Sequence, residues 1–491
     1  MLKFSMLTIA MVSSYAIADD IEHISVYANR QSQPVNETLT SLTVLDREQI
    51  LKSQVRDLPA LLNLVAGVSV SRSGGRGQLS SVFVRGGNSG HTLILLDGVR
   101  IGSATLGYQS LALVPLEQIE KIEIIRGPKA AWYGSDALAG VIAITTRKDE
   151  RTELNVSLGS FGQAEASIGG SVKRDDLRLF ASVGSAHGDG FSATTKGDPD
   201  RDGFSQHYLK LGADYQTKFG DFGWHSNINN GFYEFDTSWG GDQADTQQDS
   251  HQLSWQGSIL GTAQQVRVSR SVDEDTSFGD DVARSLFRTD RDEVDYQLSY
   301  DLARDLTWLV GSNWYQESVQ KDAPNYSQAQ RTNQSVFTGV SYQWQQWLFD
   351  SAVRRDSITG YGAEQTYQLS GGYQLTDALT LRLSQGTGFK VPTFNELYWP
   401  QYGNPLLKPE LSRSRELGFD YQQGAWTLNL TGFDRDLTNH IQKVGDSLEN
   451  VLLATVKGAE LTVAWQGEAW QSSGTYTYLD GKNEKAGTDL T

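Results

Sequence analysis

Five aspartates hold the clearest chemistry in this 491-residue chain. Asp198, Asp200 and Asp202 alternate with other residues and run into Gly203, and Asp236 and Asp245 stand in the next long loop. Carboxylates two apart around a turn point oxygens at a common centre, which suits a hard cation such as calcium. An EF-hand loop opening at Asp198 would close on a glutamate where this chain has Leu209, so the cluster is not an EF-hand. A solvated acidic loop is the competing reading. Catalytic constellations are missing from the sequence, which has no His-Glu-x-x-His, no Gly-x-Ser-x-Gly, no Walker loop and no cysteine. Gly74-Gly75-Arg76-Gly77 lacks the phosphate-cradle spacing and the Lys-Ser/Thr that would follow it, and reads as a plain loop. His91, a single histidine in a strand, reads as structural rather than as a metal or haem ligand.

The composition narrows the compartment. A formal charge of −17 opposes nucleic acid as a partner, since phosphate binding needs a basic face, while an acidic surface gathers cations. Residues 1–18 read as a secretory signal peptide: Lys3 supplies the positive end, Leu7 to Val12 lie in the apolar core, and Ala16-Ile17-Ala18 is a small-residue cleavage site with the cut after Ala18. No other segment reaches the roughly 18 apolar residues that a spanning helix needs, so a membrane position requires a barrel.

Two textures position these residues. In residues 31–148, Ile122, Ile124 and Ile125 form a strand that breaks at Arg126-Gly127-Pro128, and Val141, Ile142 and Ile144 form a second one after a small-residue connector. Leu42 to Leu45 is a short strand, and Asp46 is the N-cap of a helix from Arg47. Asp57-Leu58-Pro59 opens another helix, with Leu61, Leu62, Leu64 and Val65 on its buried side and Gly67 at its end, before a strand at Val68 and Val70. Ser81 to Gly86 and His91 to Gly98 are strands with Asn88-Ser89-Gly90 at the turn; the run Leu93-Ile94-Leu95-Leu96 wants cover on both faces.

From residue 149 the pattern becomes period two. Leu154, Val156 and Leu158 alternate with Asn155 and Ser157, and the same holds for Leu177 to Val183, Leu379 to Leu383 and Trp426 to Leu430. One face of such strands meets lipid and the other a polar lumen. Trp308, Trp314, Trp344, Trp347, Trp465 and Trp470 sit near segment ends, as interfacial girdles require. A soluble sandwich would also alternate, though rarely through so many segments. At about ten residues per strand, roughly 14 to 16 strands are expected in 149–491.

Arg126-Gly127-Pro128, Tyr133-Gly134 and Gly140-Val141-Ile142 resemble the end of the plug domain in TonB-dependent outer-membrane receptors, and Asp97-Gly98-Val99 resembles a further plug signature. Ala130 and Ala139 depart from the usual Ser and Gly. Gly386 to Pro392, Phe394 to Tyr398, and Gly403-Asn404-Pro405 leading to Lys408-Pro409-Glu410 resemble the receptor barrel signature. The resemblance runs from the N-terminal region to the last residue and is nearest to cobalamin (vitamin B12) receptors.

This resemblance implies a transmembrane antiparallel β-barrel with an N-terminal α/β plug in its lumen, placed in the bacterial outer membrane as a monomer among lipids and exported through the periplasm. Family barrels have about 22 strands. The polar end Asp489-Leu490-Thr491 leads us to expect a C-terminally truncated barrel lacking about six of them, since an open edge in lipid is costly. Residues 19–30 would hold the TonB box, Glu22, His23, Ile24, Ser25, Val26, Tyr27 and Ala28, which docks on the TonB energy-coupling protein by strand addition; His23, Ser25 and Tyr27 depart from the commoner pattern. The resemblance places Leu79, Ser81, Asn88, Leu106, Gly107 and Thr237 against cobalamin, and assigns calcium to Asp198, Asp200, Asp202, Asp236 and Asp245, with Ser192 in place of one family carboxylate and Asp189 close by. The implied activity is TonB-coupled import of cobalamin, not catalysis; a haem or siderophore receptor and a passive porin-like channel are the alternatives.

Overall fold

Strands whose side chains alternate between greasy and polar settle where the two faces meet two different media, and this chain builds a ring of them. The computed structural model describes residues 8–12, 25–26, 29–31, 33–34, 37–108, 111–148, 151–194, 200–236, 242–279, 282–322, 326–467, 469–483 and 488–489. From Glu153–Leu158 to Gln471–Asn483, seventeen strands each pair antiparallel with the next in sequence, and Thr8–Val12 and Thr488–Asp489 bring the described sheet to 19 strands. Leu154, Val156 and Leu158 face outward and are exposed, whereas Arg354 and Asp356 on an inward face are fully buried. That is the lipid-outside, polar-inside division expected of a barrel.

The ring holds more strands than the expected 14 to 16, although the strands are long. Links at one end shrink to two residues, such as Asp175-Asp176, Leu260-Gly261 and Gln345-Gln346, which leaves more chain for pairing. Several loops at the other end are longer, as between Gly188 and Phe204 or Lys390 and Glu410, although Gly445-Asp446 there is also a two-residue turn. Trp308, Trp344, Trp347, Trp465 and Trp470 gather at the short-turn end, while Trp314 stands higher on its strand. Thr8–Val12 lies antiparallel to Gln471–Thr475 and beside Glu153–Leu158, bridging the first and last long strands. This strand belongs to the chain before any removal of residues 1–18. Thr488–Asp489 pairs with Lys482–Asn483. No helix among the described residues is long and apolar enough to cross a membrane, a fact that does not bear on barrels.

Inside the ring sits a second, 5-stranded sheet in the order Leu42–Asp46, Ile119–Arg126, Gly140–Thr146, Thr92–Leu96, Val99–Ile101. Gly140–Thr146 runs parallel to Thr92–Leu96 and antiparallel to Ile119–Arg126, the pair flanking Arg126-Gly127-Pro128. The short helix Ala130–Tyr133 connects them. The apolar run Leu93 to Leu96 has the two covers it needs. Ile94 and Leu96 join Leu58, Leu61, Ile122 and Ile142 in the plug's own core, while Leu93 and Leu95 pack with Trp132 against Leu309, Phe337 and Ala352 of the barrel wall.

Local signals place the helix starts correctly. Asp46 accepts the Gln49 N–H to cap Arg47–Ser53, and Asp57 accepts the Ala60 N–H to cap Leu58–Leu62. Leu64, expected on the buried side, is instead 44% exposed, because the helix stops at Leu62 and the chain turns before Gly67. The expected turn between Ser81–Gly86 and His91–Gly98 also differs. Ser80–Val84 pairs with Val68–Arg72 in a separate two-stranded sheet, and Thr92–Leu96 belongs to the main plug sheet. Hydrogen bonds fasten the plug around the ring: Ser271 Oγ to the Arg100 carbonyl (2.9 Å), the Gly67 N–H to Thr477 Oγ1 (2.9 Å) and Ser412 Oγ to the Leu138 carbonyl (3.3 Å).

Candidate ligand and cation site

The plug loops expected to meet a ligand all rise to the long-loop end. Ser103 to Tyr108 closes through the Ser103 N–H to the Tyr108 carbonyl (3.1 Å) and docks on the loop after Lys390: the Phe394 N–H reaches the Ala104 carbonyl (3.0 Å) and the Asn395 N–H that of Thr105 (3.3 Å). Leu106 is half-buried, and its N–H binds Ser103 Oγ (3.1 Å). Gly107 has φ +74, and a Cβ there would press on Thr393, so glycine is required on two counts. Asn88 is exposed and opens the turn into His91. Leu79 and Ser81 are half-buried beside the Gly74 to Gly77 loop, which touches Phe191 and Phe204 at the foot of the acidic loop. Thr237 lies outside the described residues.

Three of the five predicted metal ligands converge. Carboxylate oxygens of Asp200, Asp202 and Asp236 lie within 4.8 Å of one another. Asp202 is almost wholly buried and accepts the Ala193 N–H at 3.0 Å; Asp236 accepts the Thr194 N–H at 2.8 Å and the Ser192 hydroxyl at 3.4 Å. The other Asp236 oxygen, Oδ1, is buried without a hydrogen-bond partner. Burial pushes the Asp202 carboxyl above its ordinary value, opposed by the Ala193 N–H and reinforced by the charges of Asp236 and Glu234. Converging carboxylates with a buried orphan oxygen fit a hard cation. Asp198 lies outside the described residues. Asp245 does not join the cluster: in Gln243–Ile259 its neighbours Ala244 and Thr246 face inward and are buried, which turns Asp245 to the exposed outer face. Nor does Asp189, whose nearby cation is Arg201 at 3.7 Å.

A second cluster, His91, Glu410 and His440, has metal-ligand composition but not metal-ligand chemistry. His91 Nδ1 accepts the Asn88 N–H (3.1 Å), which leaves the proton on Nε2, donated to Glu410 Oε2 (3.1 Å). Lys390 binds the same oxygen at 3.2 Å, and His440 Nδ1 and the Ile441 N–H take Oε1 at 2.7 and 2.9 Å. With its oxygens engaged, Glu410 ties plug to barrel. His91 thus joins plug to barrel through Glu410, a partner too far along the chain to be read from local pattern.

Sequence reasoning also missed the ion-pair core between plug and wall. Arg85 binds Glu416 (2.8 Å) and Glu460 (2.8 Å), and Arg126 of the Arg-Gly-Pro turn adds a contact to Glu460 (3.3 Å). Of the TonB box, only Ser25 and Val26 are described, as a strand against Gln33–Pro34; Glu22, His23, Ile24, Tyr27 and Ala28 lie outside the described residues.

A transmembrane ring stoppered by its own N-terminal domain, with plug loops and acidic loops sharing one mouth, is the build of a gated outer-membrane receptor rather than an enzyme. Residues 34–141 match the TonB-dependent Receptor Plug Domain and residues 168–491 the TonB dependent receptor-like β-barrel. The chain belongs to the TonB-dependent receptor family and is a protein of the bacterial outer membrane. It is 33% identical to the vitamin B12 transporter BtuB of Photobacterium profundum, over 94% of this chain and 78% of that one. It is 32% identical to a BtuB of Vibrio vulnificus, over 84% and 71%. Among solved structures, the siderophore receptor PirA of Acinetobacter baumannii superposes with a TM-score of 0.78 at 19% identity, over 91% of this chain and 81% of that one. The copper transporter OprC does so with a TM-score of 0.77 at 16% identity, over 92% and 83%. These two likenesses speak to fold alone.

Proposed function

We propose that this receptor imports cobalamin across the outer membrane, driven through its TonB box by the TonB energy-coupling protein, with calcium ordering the acidic loops over the substrate. The observation that carries this reading is the 33% identity to a vitamin B12 transporter over 94% of the chain. The convergence of Asp200, Asp202 and Asp236 beside the plug loops supports the calcium part. Bound there, calcium would neutralise the like charges and tie the loop after Gly188 to the loop after Glu234. Asp198 is the further ligand from the first loop, and Thr237, Leu79, Ser81, Asn88, Leu106 and Gly107 are the substrate contacts. Residues 1–18 are the signal peptide, removed after Ala18, and 19–30 the coupling segment.

A passive porin-like channel fits poorly with a lumen filled by a hydrogen-bonded plug. Haem and siderophores are the rival ligands on the same fold. Equilibrium binding of cyanocobalamin, haem and a ferric siderophore to the detergent-solubilised full chain, with and without calcium, decides among them. Calcium-dependent binding of cyanocobalamin is expected; its absence with calcium present ends the cobalamin reading.

A further inference from the structure

One level of the barrel wall lies just above the docked plug loop. Gly231, Thr246, Asp275, Phe287 and Lys321 are register partners across successive strands. Two residues lower, Asp273 lies between Gln248 and Thr289, and Thr289 Oγ1 accepts the Ala104 N–H of the plug loop at 3.0 Å. Asp273 and Asp275 share the inward face with Ser271, which binds the plug. They therefore overlook the loop bearing Leu106, Gly107 and Tyr108, and Tyr108 lies in the field of both carboxylates.

Two further features set these two levels apart. Gln248, directly across from Asp273, is 1% exposed; its amide leans toward that carboxylate, yet neither amide atom reaches a hydrogen bond of ordinary geometry. An amide held there unpaired costs free energy unless something else completes it. Next to Asp275, Phe287 begins an aromatic stack: Phe287 on Trp399 with centroids 5.8 Å apart, and Trp399 on Tyr402 at 5.8 Å. Lys321 Nζ covers the Trp399 ring at 3.6 Å. Tyr233 donates its hydroxyl to Asp275 (3.2 Å), and its strand leads on to Asp236 of the acidic trio.

We propose that Asp273, Asp275 and Gln248, with the Phe287–Trp399 stack beside them, form the specificity wall of the ligand vestibule. It takes a neutral or cationic solute that carries amide donors around a flat ring or apolar face, and it rejects polyanionic ferric chelates. The inference rests on reading this mouth as the ligand seat and deepens it. Carboxylates accept amide N–H groups in short charge-assisted bonds, and the Gln248 amide pairs with a ligand amide at both atoms. In their ionised form the same carboxylates outnumber Lys321 at this wall and repel a ligand of like charge, so discrimination has both an attractive and a repulsive part.

The test is equilibrium binding to the detergent-solubilised full chain with calcium present, using cyanocobalamin, an anionic ferric tricatecholate and a non-anionic ferric trihydroxamate. The wild type is expected to bind cyanocobalamin at least about tenfold more tightly than the tricatecholate, a difference near 1.4 kcal/mol. Asp273→Asn/Asp275→Asn should erase most of that preference, and Trp399→Ala should weaken cyanocobalamin several-fold, with unchanged calcium heats and barrel migration on gels showing an intact fold. Binding of the tricatecholate as tightly as cyanocobalamin, or an unchanged preference in the double variant, overturns the proposal. If the wild type binds the trihydroxamate and not cyanocobalamin, and the double variant loses it, the wall stands and only the cobalamin reading falls.

Discussion

Arg85 of the plug and Glu460 of the barrel meet in a two-pronged ion pair, Nε to Oε1 at 2.8 Å and Nη2 to Oε2 at 2.9 Å, with both side chains at most 5% exposed. Glu416 takes another Arg85 nitrogen at 2.8 Å, and Arg126 approaches Glu460. Removing one partner of a buried pair strands its charge, at a cost of about 3–5 kcal/mol. Glu460→Ala is therefore expected to loosen the plug while the barrel persists. Urea titration of a plug-borne spin label, beside heat-resistant barrel migration, measures this; an unchanged urea midpoint would contradict it.

Asp202→Asn/Asp236→Asn should abolish calcium heats in isothermal titration, because it removes two of the three converging carboxylates. Asp245→Asn should leave those heats nearly intact, since Asp245 stands outside the cluster. Equal losses in both variants would show that the loops rearrange around the ion.

Acid should release calcium at a higher pH than an ordinary aspartate would predict. The Asp202 carboxyl is raised by burial, so in the metal-free protein it holds its proton further up the pH scale, and the ion must displace it. For the metal-free fold the sign is opposite to that of a salt-bridged aspartate: the buried charge costs stability above the folded pKa, and protonation relieves it. Calcium affinity measured across an acid series, with Asp202→Asn flattening the curve, checks the first statement, and urea unfolding of the calcium-free protein across the same series checks the second.

Trp132 fills the gap between plug and wall, where its ring lies against Phe337 with centroids 6.4 Å apart. It passes over Gly339, and a Cβ at that glycine would collide with it. Trp132→Ala should cost about 3–5 kcal/mol of plug stability by leaving a cavity. Gly339→Ala should unseat the ring without emptying the site. Tryptophan fluorescence during urea unfolding separates the two.

Deleting residues 22–28 should leave cyanocobalamin binding unchanged and abolish its uptake by cells. A strand-addition segment works through main-chain hydrogen bonds with its partner and contributes nothing to the ligand seat. Uptake that survives the deletion would favour a passive pore.

The period-two alternation, the capping aspartates and the Arg-Gly-Pro turn were legible because each is a local rule: a strand's faces alternate, a cap bonds three residues on, and a glycine breaks a strand. The fully apolar Leu93 to Leu96 already asked for two covers. The acidic loops were legible for a similar reason, with Asp200 and Asp202 separated by a single residue. Asp245 misled because spacing alone does not say which face of a strand a side chain takes. Residue counting underestimated the strands because it allowed each turn too much chain.

What the amino-acid order determined by itself was the division of labour: a compact mixed domain first, then alternating strands for lipid, with carboxylates in the loops between them. What only the tertiary structure decided was which distant residues meet: Arg85 with Glu460, His91 with Glu410, and Thr289 with Ala104 of the plug loop. The physical reason is that closing a ring around a globule sets contacts by register and lumen shape, so a charge buried in one strand is answered by a residue several hundred positions away.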